Sequence, residues 1–146
     1  MTLAYVFWHR PAEDVARSDY EERLRAFHAT LESPSGSFRL HTLPWKSVDG
    51  YEDWYLVEDW AALGELNEAA LAPARRAQHD AAAAASVAGW GGVYRLLHGA
   101  SEPPAAARWS AAHEDAGTAW QRQMVLGPAP EFCLAGGEPH GRERVA

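Results

Sequence analysis

Hydrophobic and polar positions alternate along the chain in two rhythms, and the change from one to the other is clearest over residues 51–71. Trp54, Tyr55, Leu56 and Val57 make a short β-rich run, after which Trp60, Leu63, Leu66 and Ala70 return at helical spacing. The period passes from about two to about 3.6. A strand running straight into a helix is predicted, with Asp59 placed to accept from the free N–H groups of the first turn. Residues 3–9, LAYVFWH, are almost all apolar and read as a strand with both faces covered. Ser18 and Glu21 fit a capping box, and Tyr20, Leu24, Phe27 and Leu31 follow on one stripe with Glu22, Arg23 and Arg25 turned away, which predicts an amphipathic helix. The run SPSG at residues 33–36 stops that helix, residues 38–43 alternate as a second strand, and residues 44–50 join it to the third as a hairpin. Pro73 interrupts the second helix, an alanine-rich helical piece follows to residue 88, GWGG at 89–92 reads as a turn, and VYRLLH at 93–98 reads as a fourth strand.

The order through residue 98 is β-α-β-β-α-β, which right-handed crossovers fold into a split sheet with both helices on one face. The other face, rich in apolar and aromatic residues, is left bare in that arrangement and predicts a homodimer in which two sheets enclose a barrel. This order, with aromatic strands and the switch at Glu58, Asp59 and Trp60, resembles the dimeric α+β barrel proteins, which include antibiotic-biosynthesis-type monooxygenases, EthD-like proteins and haem-handling relatives. The resemblance implies an α+β, ferredoxin-like domain over residues 1–98 and a small hydrophobic pocket between sheet and helices. Residues 99–135 read as a C-terminal β extension on the same domain or a partner: a Gly/Pro/Ala linker, a short helix within 108–118, and strands at 120–126 and 131–134. Residues 136–146 read as a flexible tail. A chain whose C-terminal strands covered its own sheet would remove the reason for a dimer.

Composition narrows the function classes. At 146 residues, with 47% hydrophobic and 23% charged residues, the chain has the balance of one folded domain. The formal net charge of −7 and the lack of a Lys/Arg stripe argue against nucleic acid as a partner. No long uncharged apolar span predicts a membrane crossing, the N-terminus does not fit a signal peptide, and a cytoplasmic location is expected. The single cysteine, Cys133, excludes an internal disulfide and a Cys-based zinc site, and its apolar neighbours predict a buried, unreactive thiol.

Histidines carry the candidate chemistry. His9, His41 and His98 each end a strand, but with the first and third strands taken to run together, His9 falls at one end of the sheet and the other two at the opposite end. They would not converge on a metal, and neither a metal nor a cofactor is expected. A hairpin around residues 44–50 would bring His41 near Asp53 or Tyr55, where a carboxylate could orient the ring as an acid or base. His9 and Arg10, at the mouth of any pocket, suit a carboxylate or enolate oxygen. His79, beside Asp80 on a helix, suits a haem ligand only through the resemblance. Tyr5, Phe7, Arg10, Trp54, Tyr55 and Tyr94 are the expected ligand-binding residues, and Trp8, Trp45, Trp60 and Trp90 are further candidates for an aromatic wall. No nucleophile elbow, Walker motif or dinucleotide fingerprint is present. Two readings follow: a protein that binds a small apolar or aromatic molecule without turnover, and a cofactor-independent oxygenase or isomerase using His9 or His41 with a tyrosine as acid and base.

Overall fold

The computed structural model describes residues 1–146, the side chains at 125 and 126 excepted. The elements run β1 (Leu3–Pro11), α1 (Arg17–His28), β2 (Ser35–Leu40), β3 (Gly50–Val57), α2 (Trp60–Ala70), α3 (Pro73–Ala84), β4 (Ser86–His98), β5 (Ala107–Ser110), β6 (Thr118–Leu126), β7 (Phe132–Ala135) and β8 (Arg142–Arg144). The strands form one eight-stranded sheet in the order β5-β7-β6-β4-β1-β3-β2-β8, every neighbouring pair antiparallel.

This overturns the ferredoxin-like β-α-β-β-α-β architecture and the dimeric barrel built on it: the sheet is a single curled half-barrel with three helices. Both edges of the expected four-stranded unit are extended, with β6 continuing from β4 and β8 from β2. The curl is visible in the side chains. At about 4.8 Å per strand, β5 would lie about 24 Å from β3 in a flat sheet. Yet the Trp109 ring on β5 is 6.1 Å from Trp54 on β3 and 5.1 Å from Trp8 on β1. The sheet therefore closes its tryptophan-rich face on itself. Trp8, Trp54, Trp120, Phe38, Tyr94 and Cys133 are all fully buried there, and Trp45, Trp90 and Trp109 pack against them. The bare face that predicted a second copy is covered by the chain's own strands.

Local chemistry explains the other departures. Asp59 caps α2 as expected, its Oδ1 accepting from the Ala62 N–H at 2.8 Å. The Ser18/Glu21 capping box does not form: α1 starts at Arg17 with Ala16 as a cap that lends no side-chain bond, and Glu21 instead accepts from Arg39 and the Tyr51 hydroxyl. Pro73 opens a new helix rather than kinking the old one, since its missing N–H is one the first turn would leave unpaired anyway. The GWGG segment lies within β4 instead of turning. A Cβ at Gly89 would sit 2.6 Å from the Phe7 ring, and one at Gly91 2.7 Å from the Tyr5 hydroxyl, so these glycines let two β1 rings lie across β4. The short helix expected within 108–118 is absent; β5 occupies residues 107–110 and pairs with β7. The segment read as a tail carries β8, and Arg142 within it is buried.

Candidate functional site

Strand alternation assigns each residue of the two central strands to a face. Opposite the tryptophans, β1 presents Tyr5, Phe7 and His9, and β3 presents Tyr51, Asp53 and Tyr55, with His9 registered on Tyr51 and Tyr5 on Tyr55. The helices lie over this face. Between them and the sheet is a cavity of about 660 Å³, within the usual range of roughly 300–1,000 Å³ for small-molecule sites. Its apolar wall includes Tyr5, Phe7, Leu24, Phe27, Leu63, Leu66 and Val93, while His9, Asp53 and Tyr55 close one end. A groove of equal volume beside α2 mixes the exposed carboxylates of Glu32, Glu58 and Glu65 with Leu56, Val57 and Leu66.

Asp53 is the centre of the polar end and is only 3% exposed. Its Oδ1 accepts from Ser37 Oγ at 2.5 Å and its Oδ2 from the Tyr55 hydroxyl at 2.9 Å. Two imidazoles flank it: His9 Nε2 at 3.0 Å and His28 Nε2 at 3.7 Å from Oδ2. Neither Nε2 is aligned for a hydrogen bond, so both contacts are charge contacts whenever the ring is protonated. The opposite ring nitrogens are anchored. His9 Nδ1 bonds the Tyr20 hydroxyl, which is 2.9 Å from Ser86 Oγ, and His28 Nδ1 is 2.8 Å from Ser35 Oγ. Stacking fixes the ring planes, His9 on Tyr51 at 5.7 Å and 11°, His28 on Tyr55 at 5.2 Å and 10°.

Electrostatics follows from this packing. Burial pushes the Asp53 carboxyl up, but the two flanking imidazoles, His9 first and then His28, outweigh it and hold the group far below the usual carboxylate range. The tyrosines move the other way. Burial first, and then the Asp53 charge, raises Tyr55 well above the ordinary phenol value and raises Tyr5 as well. Burial likewise dominates at Tyr20, while Tyr51 is pushed up to about 12 by burial and then by Glu21. Around a fixed carboxylate, the phenols remain protonated and act as hydrogen-bond donors.

Of the residues singled out from sequence, His9, Tyr5, Phe7 and Tyr55 line the cavity. Arg10 does not: its Nε donates to the Asp49 carbonyl at 2.9 Å and its guanidinium pairs with the Asp49 carboxylate, because residue 10 falls on the opposite face. Trp54 and Tyr94 are buried on that opposite face, Tyr94 donating to the Pro130 carbonyl at 2.6 Å. His41 is exposed beyond the end of β2; the hairpin register sets Ser37 against Asp53 and Ser35 against Tyr55, four and six positions before it. Because β1 and β3 are antiparallel rather than parallel, His9 and His41 share one end of the sheet and His98 lies at the other. His79 reaches the cavity from α3, edge-on to Phe27 at 5.7 Å. Of the tryptophans, Trp60 alone lines the described cavity, at its rim and 44% exposed.

Sequence reading passed over His28, Ser37 and the part Tyr20 plays. The signal for His28 was present: Leu24, Phe27 and His28 stand at i, i+3 and i+4 on the buried stripe of α1, so a histidine there needed a buried partner. Among the described residues no group of three or more His, Cys, Asp or Glu side chains is arranged to hold a metal ion, and no helix is long and apolar enough to cross a membrane. No family profile, curated protein or solved structure matches the chain.

Proposed function

We propose that the protein binds a small apolar or aromatic molecule in the cavity between the sheet and the helices, without turning it over. The observation that carries this reading is the state of α2. Trp60, Leu63 and Leu66 give it an apolar stripe over the cavity, yet none of its residues is buried. Burying a leucine side chain fully is worth about 1.5–3 kcal/mol, and a ligand in the cavity supplies the apolar surface that α2 lacks. Phe7, Phe27 and Tyr55 suit a flat body, and Tyr5 brings a protonated hydroxyl to the wall for one acceptor on the ligand. Asp53 and His9 form a rigid polar wall: His9 is buried, its Nδ1 is held by the Tyr20 hydroxyl and its Nε2 stands 3.0 Å from the Asp53 carboxylate. That geometry favours binding over acid–base turnover.

A thermal-shift screen of planar aromatic and aliphatic compounds tests this. A ligand at about 100 times its Kd adds about 2.7 kcal/mol to stability, on the order of 8 °C in Tm for a chain of this size. Ala70→Trp, which fills the cavity from α2, is expected to abolish the shift while leaving the protein folded. Equal shifts in the two proteins would place binding elsewhere, and the absence of any shift across a broad screen would remove the reading.

A further inference from the structure

We propose that His98 and His113 form an open surface site for a divalent late transition metal, copper(II) or nickel(II) before zinc. His98 closes β4, and His113 stands in the loop between β5 and β6. Their Nε2 atoms are 3.1 Å apart. The outer nitrogens decide what those two atoms carry. His98 Nδ1 is 2.9 Å from the Gly117 carbonyl, which can only accept, so this Nδ1 bears the proton. His113 Nδ1 is 3.4 Å from the exposed carboxylate of Asp115, a charge contact only. His98 Nε2 therefore accepts from the Nε2–H of His113 across 3.1 Å, and a cation that takes the place of that proton meets two imidazole nitrogens side by side.

The spacing selects the cation. With metal–nitrogen bonds of about 2.0–2.1 Å, nitrogens 3.1 Å apart subtend about 98° at the metal. That suits adjacent positions of a square-planar or tetragonal ion better than a tetrahedral one. A carbonyl on the outer nitrogen, as His98 has in Gly117, is also what orients a histidine in metal sites and raises its basicity. Phe132, tilted 33° to the His113 ring at 5.6 Å, holds that side chain in place. His113 is exposed and His98 half-buried beside it, so an ion can enter and keep its remaining positions for water or an outside ligand. This site is separate from the cavity, which neither residue lines.

The test uses untagged, metal-stripped protein titrated with copper(II) sulfate, followed by calorimetry and by electron paramagnetic resonance. One ion per chain is expected, with a tetragonal spectrum showing two equatorial nitrogens. His98→Ala and His113→Ala each reduce affinity at least tenfold and leave one nitrogen or none, whereas His79→Ala changes nothing. Copper binding that survives both histidine substitutions would overturn the site. So would protein that takes up no copper while the two rings titrate as a proton-sharing pair.

Discussion

Replacing Arg142 with alanine is expected to destabilise the fold by about 3–5 kcal/mol, the penalty for leaving a buried charge without its partner. The charge left behind is Glu52, which is fully buried on the tryptophan face. Its carboxylate accepts from Arg142 Nη1 at 2.7 Å, Trp8 Nε1 at 2.8 Å, Trp54 Nε1 at 2.5 Å and Trp109 Nε1 at 3.0 Å. One side chain thus gathers β1, β3, β5 and β8 around a single anion. Arg142 also donates from Nε to the Pro104 carbonyl at 2.9 Å and lies 3.9 Å over the Phe38 ring, so alanine removes packing as well as charge. Glu52→Gln reverses the problem, setting an amide N–H₂ among indole donors and leaving the guanidinium unpaired. Urea denaturation measures both losses, with the midpoint falling at an unchanged slope if the native and unfolded states stay equally compact. In a double-mutant cycle, Glu52→Gln with Arg142→Met is expected to cost less than the two single changes together. A loss below about 1 kcal/mol for Arg142→Ala, the range of an exposed ion pair, would show that β8 is not seated on the core.

Asp53→Asn is expected to be the other large effect, about 3 kcal/mol at neutral pH, because a buried carboxylate with hydrogen bonds and flanking imidazoles is replaced by a neutral amide. The dependence on pH identifies the cause. A carboxyl held below its unfolded value contributes stability that is complete above that value, about 3.9, and is lost as pH falls toward the folded one. Asp53 is held far below. The wild-type protein should therefore lose up to about 1.4 kcal/mol per pH unit from this group below pH 4, and the asparagine variant should lack that share of the slope. The gap between the two proteins narrows as acid is added. A gap that stayed constant from pH 7 to pH 3 would mean that the Asp53 charge contributes nothing to the fold.

Both clusters grow from one dipeptide. Glu52 and Asp53 are adjacent on β3, so alternation sends one to each face, and each becomes the buried anion of a different cluster. In the sequence they stand in YEDWY, where two acidic residues suggest a strand edge meeting water. Their partners are remote: Arg142 is 90 residues from Glu52, and His9 and His28 belong to β1 and α1. Nothing local reveals such pairing. What local chemistry does reveal was readable, including the Asp59 cap, the buried stripe of α1 and the apolar run of β1. Half of the cavity was legible through Tyr5, Phe7, His9 and Tyr55. Arg10 and Trp54 adjoin His9 and Tyr55, so a strand's period of two sends them to the opposite face, and Tyr94 joins them because β4 sets it against Ala4 of β1. The glycines of β4 misled because a turn and a strand crossed by aromatic rings use the same residue. The largest error, the bare sheet face, came from residues 99–146, whose short strands carry too little periodicity to show that they would curl the sheet and extend both its edges.

The most direct measurement on the cavity is a methyl and aromatic NMR titration of the protein with planar aromatic compounds found in the thermal screen. Ligand in the cavity is expected to shift the signals of Leu63, Leu66, Val93, Phe7 and Phe27 together, with one saturation curve, and to leave the tryptophans of the opposite face unmoved. Shifts confined to other surfaces, or a saturable ligand that perturbs none of those five residues, would contradict a binding site between the sheet and α2.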